Sequence, residues 1–517
     1  MSARVAAFGI ALGALLLLYG AAFFDPPYWD ALLGAFPQGL WLARNGFDGV
    51  RLLTEEASYI DGGPSVYPFS VYPYAIGALY ALDLSPRAVF GVMHAVSFVS
   101  AAAVLASLVR IVADHVPRAD GAANPPLGVR LACVLAVFPL FGSMTSQINM
   151  DMPLAACTLL ASEALLARRY ARAFGWNTLA LLVKPNGIVA VVAAAITLAL
   201  VRDRKARPWT CAHGGLVLVF GLQVWLLQSF DRAPPYVSVL GGLVQLFRSR
   251  LWMIPEYGLA FVAFLVWLPF ALRRALSRSA DPLERLVTVF LTTFVAFYFQ
   301  VGNPLPRYFL QSLPYFLLCV ALLARRWRIP RAAGNVAFAG ALLVCVVNRH
   351  GILYPPSRSD WDVQELRRTG AANVAQRLAR NDGFLLERSL EYQDDLELSR
   401  ALARDLDALP RDSTVLVANW PLAHLLAFPE FGYVDSGFRV CAPDQPLAYD
   451  PRGVRFTDLY AKSAGEWKRK VSDDVVWVVA PNVFSSGATR VLVGDLVLHV
   501  AEHGDHKAFV LRRKDWE

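Results

Sequence analysis

The placement of basic residues constrains this chain more than any other feature of its sequence. Long apolar runs alternate with short loops, and arginine and lysine concentrate in every second loop. The basic loops hold Arg110, Arg118 and Arg130; Arg168, Arg169 and Arg172; Arg202, Arg204, Lys205 and Arg207; Arg273, Arg274, Arg278 and Arg285; and Arg325, Arg326, Arg328 and Arg331. The loops between them are nearly bare of positive charge. Because basic loops of membrane proteins stay in the cytoplasm, the pattern predicts a polytopic membrane protein and its orientation.

Composition supports a membrane protein and argues against nucleic-acid binding. The chain has 517 residues, of which 56% are hydrophobic and 17% charged, which is too apolar for a soluble protein of this size. The net charge of +8 belongs to the predicted cytoplasmic loops. We therefore expect no nucleic-acid partner. One cysteine, Cys441, lies in the polar C-terminal region, and no Cys/His spacing suggests a zinc site.

The apolar runs predict about eleven membrane spans in residues 1–350, since a span needs about 20 apolar residues. They are Val5–Phe24, Ala88–Val109, Leu131–Thr145, Met152–Ala167, two within Phe174–Val201, Leu216–Leu227, Leu259–Leu272, Leu286–Gln300, Tyr308–Leu323 and Ala332–Val347. Val5–Phe24 lacks a clear small-residue cleavage site, so we expect a retained span rather than a signal peptide. The N-terminus is expected inside and the C-terminus outside. Residues 25–87 then form a first outer loop, with an amphipathic stretch at Ala31–Ala43 and a Tyr/Pro-rich segment at Val66–Tyr74.

Two hairpins are predicted to point their tips outward. Arg130 and Arg168 both flank spans on the inner side, so the segment Ser146–Asp151 between them must turn on the outer side. The run Phe174–Val201 is too long for one span and breaks at Lys184-Pro185-Asn186-Gly187. Proline and glycine at membrane depth are tolerated where irregular backbone lines a cavity. Both tips should therefore face the same outer side as the first outer loop.

Residues 351–517 are predicted to form an extracytoplasmic α/β domain. Asp362–Leu409 has helical periodicity. Thr414–Ala418 and Val475–Ala480 resemble buried strands, and Val491–Val500 with Lys507–Arg512 resembles a hairpin. The expected fold class is mostly α, a membrane helix bundle with this C-terminal domain attached.

Three acidic residues are candidates for chemistry at the outer face: Asp25, Asp30 and Asp151. Each also has a purely structural explanation. Asp30 is placed to cap the amphipathic helix that follows it, and Asp25 precedes Pro26-Pro27, where a turn role suffices. Asp151 is placed to cap a helix starting near Pro153, although an ionisable group at membrane depth usually faces a cavity.

Two isolated cations on the outer side are candidates for binding an anion. Lys184 has the alternative of reaching up to the membrane interface, but the Pro-Asn-Gly after it favours an exposed turn carrying a positive charge. Arg307 lies where the orientation rule disfavours basic residues, so a topological role does not explain it. An outer cavity with cations, carboxylates and apolar walls suits a lipid-phosphate substrate, with an acid to deprotonate an attacking hydroxyl.

The order of these motifs resembles the GT-C superfamily of membrane glycosyltransferases. The motifs are an acid after the first span, the Tyr/Pro-rich loop, Ser-Gln-Ile-Asn-Met-Asp at 146–151, Leu-Val-Lys-Pro-Asn-Gly at 182–187 and Pro-Arg-Tyr at 306–308. The nearest branches are the protein-mannosyltransferase-like and aminoarabinose-transferase-like enzymes and the polyprenyl-phosphate-mannose-dependent mannosyltransferases. The resemblance covers residues 1–350. It implies transfer of a sugar from a polyprenyl-phosphate carrier to a hydroxyl acceptor outside the cytoplasmic (inner) membrane.

The resemblance also implies roles for individual residues. Asp30 would be the general base; the family often has an Asp-Glu pair where this chain has Asp30-Ala31, so Asp25 stays open for that role. Asp151 would bind the acceptor or orient the base, and Lys184 and Arg307 would bind the carrier phosphate with support from Tyr308. We expect no cofactor and no metal. Direct displacement would invert the anomeric centre, but Asp151 stays open as the second carboxylate of a covalent route.

A transporter or flippase of lipid-linked sugars is the alternative, because transporters also contain broken helices. The absence of an inverted repeat and the large outer regions favour an enzyme, and a non-catalytic scaffold would leave the outer cations unexplained. Expected partners are the polyprenyl-phosphate sugar, membrane lipids and a protein, glycolipid or glycan acceptor. Neither the sugar nor the acceptor follows from the sequence.

Overall fold

The structure is a computed structural model that describes most of the first 348 residues and selected parts of the remainder. The described residues are 3–28, 31–54, 69–117, 123–201, 203–229, 255–275, 277, 280–298, 306–348, 390, 392–393, 396, 400, 414–417, 426–435, 437, 439–441, 448–449, 476–479, 499–503 and 506–512. The candidate base Asp30 lies outside them, as does most of the predicted helical stretch Asp362–Leu409.

The described part of the N-terminal region is helical. Its α-helices are α1 Ala3–Tyr19, α2 Phe36–Arg44, α3 Gly49–Thr54, α4 Val71–Ala81, α5 Pro86–His115, α6 Pro125–Val137, α7 Pro139–Ser146, α8 Asp151–Leu166, α9 Tyr170–Val183, α10 Ile188–Leu200, α11 Arg207–Ser229, α12 Pro255–Ala275, α13 Pro282–Tyr298, α14 Leu313–Arg326 and α15 Arg331–Val347. Short 3-10 helices cover Gly20–Ala22, Pro185–Gly187 and Pro306–Phe309, and a π-helix covers Ala31–Ala35.

Every predicted span overlaps at least one of these helices, and one predicted span is broken into two helices. The predicted span Leu131–Thr145 consists of α6 and α7, which meet at a bend of 66°. Pro139 begins α7, and the residue before a proline is disfavoured in the α conformation. Phe138 is accordingly extended, with φ −62° and ψ 127°.

Several helices are long and apolar enough to cross a bilayer, and the chain is a membrane protein. Within the described residues, Val5–Ala22, Pro86–His115 and Arg207–Leu226 meet that criterion alone, and the bent pair α6 and α7 adds a fourth if it is one span. The count of about eleven spans and the orientation of the termini stay predictions. The long helix α5 lies at the centre of the fold, where it packs against α1, α6 and α8.

The second predicted hairpin is formed by α9 and α10, joined by the short 3-10 helix Pro185–Gly187. Helix α9 ends at Val183, and the backbone of Lys184 after it is extended at φ −153° and ψ 140° because this residue precedes a proline. Gly187 allows the chain to fold back closely. A Cβ at this position would lie 2.5 Å from the backbone carbonyl of Ala180. The turn therefore requires glycine for close backbone approach.

Replacing Gly187 with alanine should lower the free energy of unfolding by about 1–3 kcal/mol, because a backbone carbonyl cannot move aside cheaply. Gly175→Ala is the matched control on α9, since its Cβ would meet nothing within 4 Å. Alanine also favours a helix over glycine, so the control should hold or raise stability. Thermal unfolding of both variants in detergent checks this, and equal stabilities would contradict the close packing of the turn.

The predicted amphipathic helix of the first outer loop is helical but is not exposed on one face. The π-helix Ala31–Ala35 runs into α2, where Phe36–Leu42 are all buried. Helix α4 packs directly against α2, with Gly39 lying against Ile76 and the carbonyl of Pro73. Because Gly39 has no side chain, α2 and α4 can approach closely. This contact buries the face of α2 that was expected to be exposed to solvent.

The C-terminal region contains a mixed six-stranded sheet. Its strands are β1 Thr414–Val417, β2 Arg439–Cys441, β3 Ala448–Tyr449, β4 Val476–Val479, β5 His499–His503 and β6 His506–Arg512. Their spatial order is β3-β2-β1-β4-β6-β5, with β1 parallel to β2 and β4 and the remaining pairs antiparallel.

Part of this sheet is predicted by the sequence. The strands β1 and β4 and the hairpin partner β6 are confirmed, whereas β2 and β3 were not predicted. The other hairpin strand, β5, begins at His499 in the described residues, later than the predicted Val491. Residues 491–498 lie outside those residues. The helical part of an α/β domain and its extracytoplasmic location stay predictions.

Candidate active site

A buried ion pair joins the tips of the two hairpins. The Lys184 ammonium donates to both carboxylate oxygens of Asp151, at 2.9 Å and 2.8 Å. The two residues are only 1% and 2% exposed. Asp151 is the first residue of α8, where the partial positive charge of the helix N-terminus also favours a carboxylate. Charge-assisted hydrogen bonds of this kind are among the strongest in proteins.

The burial of Lys184 contradicts the expectation of an exposed turn carrying its charge. Lys184 is one of the largest fully buried side chains among the described residues. An isolated ammonium group would be very costly to bury, and a carboxylate within hydrogen-bond distance offsets much of that cost. The Pro-Asn-Gly sequence predicted the turn correctly. The Lys184 side chain is buried because its partner, Asp151, lies on the other hairpin.

Arg307 and Tyr308 reach the same ion pair from a third part of the chain. They belong to the 3-10 helix Pro306–Phe309, and the Arg307 Nε atom lies 4.0 Å from a carboxylate oxygen of Asp151. The Tyr308 ring lies 5.1 Å from the Lys184 ammonium and 5.5 Å from the Arg307 guanidinium carbon. These distances permit cation–π attraction to both. Four residues predicted for the site are therefore neighbours.

The first hairpin tip is held by its own amides. Asn149 Oδ1 accepts from the backbone N–H of Met152 at 2.9 Å, and its amide nitrogen donates to the carbonyls of Met144 and Gln147. Asn149 thus satisfies a backbone donor in the first turn of α8, the capping role considered for Asp151. The Asp151 carboxylate is directed to Lys184 instead.

Ser70, in the first outer loop, contacts the tips of both hairpins. Its hydroxyl donates to the carbonyl of Val183 at 2.6 Å and lies 3.7 Å from the sulfur of Met150. It also accepts from the backbone N–H of Tyr72 at 3.2 Å, which caps α4. The Tyr/Pro-rich pattern of this segment distinguishes neither Ser70 nor Tyr72 as a site residue. A serine before an apolar helix was the available signal, and it predicts only a cap.

Asp25, the alternative base, forms a different ion pair. Its carboxylate accepts from the Arg400 guanidinium at 2.9 Å, and its backbone carbonyl accepts from the His94 ring at 3.0 Å. The Asp25 and Arg400 side chains are 19% and 33% exposed. Asp25 therefore links the first outer loop to the C-terminal region rather than to Lys184.

Other contacts join the C-terminal region to the first outer loop and to the first hairpin tip. The Tyr392 hydroxyl donates to the hydroxyl of Ser146 at the first hairpin tip, at 2.8 Å. The Tyr433 hydroxyl donates to the carbonyl of Pro27 at 3.0 Å. Arg44 pairs with Glu430. Because each contact joins residues hundreds of positions apart, no local pattern in the sequence predicts them.

The Tyr392–Ser146 hydrogen bond should be measurable by a double-mutant cycle. We expect Tyr392→Phe to lower the free energy of unfolding by about 1 kcal/mol, because it removes a buried hydrogen bond. In a Ser146→Ala background the same change should cost much less, since the partner is already gone. Chemical unfolding of the four proteins in detergent tests this, and fully additive losses would show that the two hydroxyls do not interact.

Metal binding is not indicated in the part of the chain that the structure describes. No three histidine, cysteine, aspartate or glutamate residues cluster there in a way that could hold an ion. Metal independence stays a prediction.

The comparisons with known proteins bear on the fold. No family model matches the chain, and no curated protein matches it. Among solved structures, the chain is similar to ArnT from Cupriavidus metallidurans bound to undecaprenyl phosphate, with a TM-score of 0.50, 12% identity and 97% of each chain covered. The apo structure of the same ArnT matches with a TM-score of 0.50 and 14% identity, covering 98% of each chain. The chain therefore has the fold of ArnT over nearly its whole length.

Proposed function

We propose that this protein is a membrane glycosyltransferase that moves a sugar from a polyprenyl-phosphate carrier to a hydroxyl acceptor. The observation that carries the proposal is the convergence of Arg307 and Tyr308 on the buried ion pair of Lys184 and Asp151, from separate parts of the chain. The ArnT fold supports it, and one of the similar ArnT structures has undecaprenyl phosphate bound.

Lys184 and Arg307 are the proposed ligands of the carrier phosphate. Both are buried cations, and phosphate oxygens accept charge-assisted hydrogen bonds from such groups. As the bond between the sugar and the phosphate breaks, negative charge grows on the leaving phosphate, and fixed cations stabilise it. Asp151 holds Lys184 in position before the substrate arrives. Tyr308 borders both cations, so its ring completes one wall of the phosphate site.

Asp30 is the proposed general base. The acceptor hydroxyl attacks the anomeric carbon, its proton passes to Asp30, and the polyprenyl phosphate leaves with the bonding electrons. Asp25 and Asp151 are less suited to this step because each accepts hydrogen bonds from a cation, and protonation would weaken that ion pair. Direct displacement of this kind inverts the anomeric centre. We propose that it occurs at the outer face of the cytoplasmic membrane, where the positive-inside pattern puts both hairpin tips.

The decisive experiment measures turnover of polyprenyl-phosphate sugars by the purified full-length protein in detergent. A panel of sugars is supplied as donors and a membrane extract as acceptor, and the released polyprenyl phosphate is quantified. Protein-dependent release that requires the extract supports the proposal. A folded protein that releases nothing with any donor, but moves lipid-linked sugars across proteoliposomes, would establish the flippase alternative instead.

A further inference from the structure

Tyr72 has a buried hydroxyl group without a hydrogen-bond partner among the described residues. It lies in the first turn of α4, and its side chain is 4% exposed. The backbone of Tyr72 is fixed by Ser70, whose hydroxyl also bonds to Val183, the residue before Lys184. The tyrosine is thus attached to the segment that carries the site lysine.

The described polar groups around the Tyr72 hydroxyl are oriented toward other partners and form no hydrogen bond with it. Ser97, which lies beside the Tyr72 hydroxyl, donates its own hydroxyl to the carbonyl of Gln147 at 3.1 Å. Asp151 is also near enough to act on it electrostatically, and both carboxylate oxygens of Asp151 accept from Lys184. Buried polar groups normally have a partner, and one left without any is unfavourable. A phenylalanine would fill the same space without that penalty.

The phenol is suited to donating rather than accepting. Burial, and next the Asp151 carboxylate, raise the pKa of Tyr72 above its usual value. The hydroxyl group therefore stays protonated. Its O–H can donate a hydrogen bond but lacks an acceptor oxygen among the described residues. A phosphate bound at Lys184 would supply such oxygens.

We propose that the Tyr72 hydroxyl donates a hydrogen bond to a phosphate oxygen of the lipid-linked substrate. Tyr72 is then a third binding residue for the phosphate, contributed by the first outer loop, beside Lys184 and Arg307. The inference rests on the proposed function for the identity of the substrate. Its structural premise, an unsatisfied hydroxyl at the site, stands independently of that function.

Tyr72→Phe tests the proposal because it should weaken binding without lowering stability. With undecaprenyl phosphate as the probe, its Kd should rise about 10- to 100-fold, the range for loss of a hydrogen bond to a charged group. The value of kcat/KM with an active donor should fall by a similar factor. The melting temperature without ligand should stay unchanged or rise, because the unsatisfied hydroxyl is gone.

Tyr80→Phe is the matched control on the same helix. The Tyr80 hydroxyl donates to the carbonyl of Glu430 at 3.0 Å, so it has a protein partner. This variant should melt at a lower temperature while its Kd and kcat/KM stay within about twofold of the wild type.

The possible results separate the two proposals. An unchanged Kd in Tyr72→Phe, or a lower melting temperature without ligand, overturns the role of Tyr72 while leaving an active wild type as a glycosyltransferase. A wild type that binds undecaprenyl phosphate but transfers no sugar overturns the proposed function, and the Kd comparison still decides the role of Tyr72. A wild type that does neither overturns both.

Discussion

Replacing Lys184 with methionine should lower the free energy of unfolding by about 3–5 kcal/mol, the usual effect of breaking a buried ion pair on one side. The methionine keeps most of the volume and apolar length of the side chain. It leaves the Asp151 carboxylate, which is 2% exposed, without the ammonium that donates to both its oxygens. Equilibrium unfolding in detergent measures this loss.

Combining Lys184→Met with Asp151→Asn separates the structural role of the pair from its role with substrate. The double variant has no buried charge left at these two positions, so we expect much of the stability to return. Turnover should not return, because Lys184 is a proposed phosphate ligand, and losing such a group costs about 10²- to 10³-fold in kcat. A stable double variant that turns over at the wild-type rate would show that Lys184 serves only to neutralise Asp151.

Replacing Asp30 with asparagine should lower kcat by about 10²- to 10⁴-fold, the typical contribution of a positioned general base. Asparagine keeps the size and the hydrogen-bonding capacity of the side chain but cannot take the proton from the acceptor hydroxyl. The Kd for undecaprenyl phosphate should change little, since the phosphate is assigned to other residues. Single-turnover release of polyprenyl phosphate, beside a binding titration, measures the two quantities.

Asp25→Asn is the matched control for that experiment. It replaces an acid whose carboxylate is engaged by Arg400. The pair is partly exposed, so the variant should lose only about 1 kcal/mol of stability and keep turnover within a few-fold of the wild type. If Asp25→Asn abolished turnover and Asp30→Asn did not, the base would be Asp25.

The helices were predictable because their signals are local. Apolar runs of sufficient length and the basic residues at their inner ends predicted each helical span, and Lys184-Pro185 predicted where α9 ends. The bend between α6 and α7 was not predicted, although Pro139 causes it. Hydropathy does not register a missing N–H group, so Pro139 does not interrupt the apolar run.

For the site, the sequence predicts which segments lie near one another but not which side chains pair. The predicted orientation of the spans puts Asp151, Lys184 and Arg307 at the same end of the bundle, and in the structure these residues are neighbours. Their pairing was not predictable, because it depends on how α8 packs against α9. An exposed phosphate-binding lysine and a buried lysine held by aspartate have the same sequence pattern.

Charge distribution and apolar run length by themselves imply a helical membrane protein and a polar outer site, since both act within a few turns of one helix. The hydrogen bonds of Tyr392 and Arg400, and the lack of one at the Tyr72 hydroxyl within the described part of the chain, depend instead on which distant segments pack together. Whether a buried hydroxyl has a partner, or which cation an aspartate meets, follows from side-chain packing between distant segments. Those contacts exist only once the helices and the C-terminal region have packed together.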